Sequence, residues 1–111
     1  MAFNTKYKID EADKLLTLGI IRAIGFEKAI DIALARSFRV LEKDPESILC
    51  VMLLAWSHNL LEEARASDDE NIFNDLRLLS HFYRKLSHRL YWEQRKCGDL
   101  GEMSHFIREV V

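Results

Sequence analysis

The sequence predicts an all-α protein: a compact bundle of four main helices with a short C-terminal helix, in one domain over residues 1–111. Three observations lead there. The chain has one proline and four glycines, too few for the tight turns of a sandwich or barrel of this size. Its apolar residues recur at steps of three and four, the period of a one-sided helix. With 111 residues, 49% apolar and 31% charged, it has a normal globular balance and no room for a second core.

The first helix is expected over about Tyr7 to Ile24, with Ile9, Ala12, Leu16, Ile20, Ala23 and Ile24 on its inner side. Gly25 follows as a candidate left-handed cap, a conformation glycine adopts without a Cβ penalty. Gly19 costs roughly 1 kcal/mol relative to alanine inside a helix, or else marks close helix packing. The second helix spans about Phe26 to Lys43, with Phe26, Ala29, Ile30, Ala33, Ser37, Val40 and Leu41 on one side. Asp44-Pro45-Glu46 then suits the opening of a third, with an N-cap acid, proline at the first position and glutamate in the positive first turn.

The third helix, about Pro45 to Ala66, is apolar nearly all round from Ile48 to Trp56. Such a helix is either central in a core or buried by a partner. Full burial by so short a chain is difficult, so Val51 and Leu54 are expected to contact a second copy. Ser67 and Glu70 have the spacing of a capping box. They open a fourth helix, about Asp69 to Lys96, with Ile72, Leu76, Leu79, Phe82, Tyr83, Leu86 and Leu90 inward. Whether helices three and four form a hairpin or one bent rod stays open. Gly98 and Gly101 end the fourth helix, and Glu102 to Val111 sets Met103, Phe106, Ile107 and Val110 against the bundle.

A net charge of −2 and a pI near 6.1 give no global case for nucleic acid or an acidic membrane. Cys50 and Cys97 have no metal-type spacing, and a disulfide framework is not expected, which fits a reducing compartment. Met1 to Asp10 has no signal-peptide core, and the longest apolar run is far below the ~20 residues of a membrane span. A cytoplasmic location follows as an expectation.

One constellation bears on function. At 100° per residue, Arg77, His81, Arg84, His88, Tyr91 and Arg95 fall within about 40° of a common line, opposite the apolar stripe. From Arg77 to Lys96 there are six Lys or Arg and one acid, Glu93, whereas Glu62 to Asp75 holds six acids and Arg65 alone. The simplest reading is a solvated face whose charges suit the helix dipole. The next is contact with a protein, since arginine and tyrosine favour interfaces and opposite charge blocks suit antiparallel pairing of two copies. A third is nucleic acid, with arginines on phosphate and Tyr91 or Trp92 stacking a base.

A histidine–arginine ridge also has the groups for phosphodiester chemistry. The arginine-then-histidine order is that of HEPN ribonuclease helices, but those leave four to six residues between the two. Arg77 to His81 and Arg84 to His88 leave three, so the chain is not placed among them. His58 and Glu62 share a face with Arg65, but the sequence lacks paired histidines at four-residue spacing and the two Glu-x-x-His pairs that a di-iron bundle needs. No metal, cofactor or catalytic residue is assigned. The expectation is a small non-enzymatic regulatory or adaptor protein that binds another protein and itself. The alternative is a nucleic-acid-associated helical protein on Arg77, Arg84, Arg89 and Arg95, and behind it an RNA-processing enzyme on the ridge.

Overall fold

The computed structural model describes residues 9–44 and 48–97, with side chains through residue 93. Within them the chain is all-helical: α1 is Glu11–Ile24, α2 Phe26–Lys43, α3 Leu49–Ala66 and α4 Glu70–Cys97. The expected helix of residues 102–111, the glycine stops at 98 and 101, and the Pro45 helix start lie outside the described residues.

The frame is an antiparallel hairpin of α3 and α4. At 28 residues, α4 is about 42 Å long, nearly the full 44 Å of the molecule's long axis. Ser67-Asp68-Asp69 makes the turn. The Asp69 carboxylate accepts the amides of Asn71 at 2.8 Å and Ile72 at 3.2 Å. Asp69, not Ser67, is therefore the N-cap. The expected capping box is displaced because the helix opens at Glu70, and Ser67 instead braces the turn by accepting the Asp69 amide at 3.2 Å.

Small residues set how α3 and α4 meet. Cys50, Ser57 and Ala64 recur every seven residues along the buried side of α3. Ser80 and Ser87 do the same on α4 and are buried. The Ser57 hydroxyl donates to the Ser80 carbonyl at 2.9 Å, Ser80 returns the bond to the Ser57 carbonyl at 2.8 Å, and Ser87 donates to the Cys50 carbonyl at 3.1 Å. Each buried hydroxyl thus has a partner, which removes the desolvation cost of placing serine in a core.

Gly25 alone separates α1 from α2. Its amide donates to the Ile21 carbonyl at 2.8 Å and its carbonyl accepts the Ala29 amide at 3.0 Å, so one residue closes one helix and opens the next. The backbone there has φ 93° and ψ 157°. That is not the left-handed helical cap expected from sequence but the positive-φ extended region, which is essentially confined to glycine. The sharp reversal sends α1 antiparallel to α4 (Thr17 meets Tyr83 and Arg22 meets Asp75) and α2 along α4's own direction (Glu27 meets Lys85 and Asp31 meets Arg89). Gly25→Ala is expected to cost about 1–3 kcal/mol in chemical denaturation through backbone strain alone. The open space around Gly25 excludes a clash as the cause, and an unchanged midpoint would show that the corner relaxes freely.

The core runs through all four helices, with Ile30, Leu60, Leu79 and Leu90 fully buried. The inward stripes of α2 and α4 follow the sequence periodicity, except that Val40 and Ile72 are exposed and Leu34 joins the core. On α1 the expectation holds for Ile9, which is buried just before the helix, and in part for Ile20, which packs half-buried against the core, and fails for the other four. The buried residues of the helix are Lys14, Leu18 and Ile21, whereas Ala12, Leu16, Ala23 and Ile24 face outward.

Candidate functional site

The surface that the sequence singled out lies along α4. Arg77, His81 and Arg84 are exposed and His88 is half-buried. Spacings of four, three and four keep them on one strip because α4 is unbroken from Glu70 to Cys97. Tyr91 does not belong to it. At 7% exposure it is part of the core, because it lies on the Ser80–Ser87 side of α4, the side that packs on α3. Its neighbour Trp92 is 55% exposed and meets the Tyr91 ring edge-on at 5.1 Å. Trp92, eleven residues or about three turns from His81, therefore supplies the strip's aromatic. Arg95 continues the line by helix position, and its side chain lies outside the described ones.

Charge on this strip differs from charge elsewhere. Along the α2 side of α4, Lys85 bonds Glu27 at 2.8 Å and Arg89 approaches Asp31 at 3.6 Å. On the strip, Arg77 lies 5.6 Å over the Phe73 ring and His81 stacks on Phe26 at 5.2 Å. Arg84 and His88 have no hydrogen bond or ion pair among the described residues. The Arg77 charge thus lies against an aromatic face, with no ion pair to a described carboxylate.

The second surface is the outer side of α1. Leu15 is 71% exposed and Leu16 59%. Ala12, Gly19 and Ala23 are exposed beside them, and a Cβ added at Gly19 would meet nothing within 4 Å. Counted at 100° per residue, Ala12, Leu16, Gly19 and Ala23 lie diametrically opposite Lys14, Leu18 and Ile21. The helix is therefore apolar on both sides. Sequence periodicity detected this outer stripe and assigned it to the core. No local signal distinguishes the two, because the true inner face carries a lysine.

Lys14 shows how that face is held. Only 5% exposed, its ammonium bonds Glu63 of α3 at 2.8 Å and also pairs with Glu11. Burial pulls its pKa down, but the hydrogen bonds and charges of Glu11 and Glu63 outweigh this and leave it above the ordinary value. Above this pair, the Tyr83 hydroxyl meets Thr17 at 2.9 Å while its ring meets Trp56 edge-on at 5.4 Å, joining α1, α3 and α4.

Of the two residues expected to contact a second copy, Leu54 is turned into the core and Val51 keeps part of its surface. Leu54 is 6% exposed and Val51 half-buried. The Cys50 thiol, buried against α4, is pushed up to about 12 by desolvation and is no nucleophile at neutral pH. His58 and Glu62 are exposed, and no three His, Cys, Asp or Glu side chains among the described residues converge as metal ligands. Among those residues no helix is long and apolar enough to cross a membrane. No known protein family, curated protein or solved structure matches the chain.

Proposed function

We infer that this chain is a small non-enzymatic adaptor that works by protein–protein contact, with the outer face of α1 as its docking surface. One observation carries the reading: two adjacent leucines more than half exposed, 71% and 59%, on a helix whose opposite side is fully packed. Single exposed apolar residues are ordinary on protein surfaces, whereas a continuous apolar helix face marks an interaction site. Replacing both Leu15 and Leu16 by glutamate tests it. In dilute protein the variant is expected to keep its helix content and lie within roughly 0.5 kcal/mol of wild type, as for surface changes generally. A loss of several kcal/mol at every concentration would mean that the chain covers this face itself, and the reading would fall.

A second reading rests on the α4 strip, where exposed Arg77 and Arg84 have no ion pair to a described carboxylate and Trp92, 55% exposed, lies about two turns beyond Arg84. These are groups that hold phosphate and stack a base. If a single-stranded nucleic acid binds there, Arg77→Ala with Arg84→Ala is expected to weaken binding and flatten its salt dependence by about two counterions. Wild-type binding that is absent, or indifferent to salt, would remove this reading.

A further inference from the structure

We propose that the occupant of α1's outer face is a second copy of the same helix, packed antiparallel across a twofold axis that passes between Thr17 and Leu18. This rests on the reading of that face as a docking surface and adds which chemistry fills it.

The face is self-complementary. Turning one copy of α1 about that axis sets Ala12 opposite Ala23 of the second copy and Leu16 opposite Gly19 of the second copy. Large meets small and small meets small. The bare Gly19, with nothing within 4 Å of its Cβ position, then receives a leucine. This explains a glycine in mid-helix, where it otherwise costs about 1 kcal/mol. The molecule already uses such packing internally: Ser57 meets Ser80 and Cys50 meets Ser87 across the antiparallel pair of α3 and α4, with small residues at the seam.

Charge agrees with the same operation. A twofold axis across two antiparallel helices brings each flank against its own counterpart. Glu11, Leu15 and Arg22 share one flank of the seam, the acid at one end and the base at the other. The twofold places Glu11 near Arg22 of the second copy, twice over. Glu11 already pairs with Lys14 and Arg22 with Asp75, and with side chains 81% and 60% exposed each keeps a solvent side on which the second contact would add to the first. A parallel pairing would hold Glu11 and Arg22 of the second copy at opposite ends, about three turns apart, and form neither contact. A helix of 14 residues, about 21 Å long, offers less than the ~800 Å² per partner of a standard interface. The dimer is therefore expected to be weak and to assemble with rising concentration.

The test uses the full chain with one added cysteine at a time. Ala12→Cys and Ala23→Cys proteins are mixed under mild oxidation, and bridging peptides are identified by mass spectrometry, which separates them from bridges of native Cys50 or Cys97. The expected result is a mixed bridge, joining the thiol introduced at position 12 of one chain to that at position 23 of another. It should exceed either bridge between identical variants several-fold. Light scattering should show wild type moving toward dimer with concentration while Leu16→Glu stays monomeric. A predominance of bridges between identical variants would overturn the antiparallel arrangement. A wild type monomeric throughout would overturn pairing itself. In that monomer, a Leu15→Cys thiol that labels as fast as free cysteine would leave the docking face standing for another protein. Strong protection of that thiol would mean the chain's own terminal residues cover it, and both readings would fail.

Discussion

Tyr83→Ala is expected to lower stability by about 3–5 kcal/mol, the range for losing a large buried aromatic, and melting by about 10–20 °C. The ring is 6% exposed and touches Trp56 and Phe82 edge-on, each at 5.4 Å. Its hydroxyl meets Thr17 at 2.9 Å. Burial raises the pKa of the phenol while the Thr17 hydrogen bond lowers it, and the net direction is up, so the group is neutral at any ordinary pH. Removing the ring opens a cavity where three helices meet and leaves Trp56 without its partner. Tyr83→Phe keeps the packing and gives up only the Thr17 bond, a loss of about 1 kcal/mol. Urea titrations of both variants check this. Equal costs would mean that the hydrogen bond holds the junction and the aromatic packing does not.

The sequence made local rules legible and left the tertiary choices open. Gly25 and the Ser67–Asp69 segment mark real helix boundaries because turn chemistry is local, although Asp69 rather than Ser67 does the capping. The inward faces of α2 and α4 were readable because each has one apolar stripe and one charged side. Two cases failed for the same physical reason. A helix apolar on two sides, such as α1, gives periodicity no way to choose between them, and one deciding contact is Lys14 with a carboxylate 49 residues away. A helix apolar all round, such as α3, is compatible with burial by its own chain or by another, and here its own chain covers Leu54. The charged strip on α4 survived as a surface because Arg77, His81 and Arg84 lie opposite the helix's apolar stripe and stay exposed. Tyr91, at the margin of the strip, went to the side with a neighbour to pack on.

The buried Lys14–Glu63 pair is one of the contacts that orient α1, beside Thr17–Tyr83 and the packing of Leu18 and Ile21, and breaking it should have a large effect with a distinctive pH signature. Lys14→Ala leaves Glu63 facing the core edge alone. Its side chain is 28% exposed and its second oxygen is already buried without a hydrogen-bond partner. Removing one member of a buried pair costs about 3–5 kcal/mol, and the partial exposure of Glu63 places this one toward the lower end. Glu11, at 81% exposure, adds little as a surface partner. The Lys14 pKa is raised in the folded state. Its contribution is therefore fully present below the ordinary lysine value of 10.5 and is lost as pH rises through the higher folded value. The stability gap between wild type and Lys14→Ala should stay constant from neutral pH to about 10 and close only beyond it. A double-mutant cycle with Glu63→Gln isolates the pair. If Lys14→Ala costs the same with and without the Glu63 carboxylate, the buried lysine is held by its methylene packing, and α1 owes its orientation to the Thr17–Tyr83 bond and to Leu18 and Ile21.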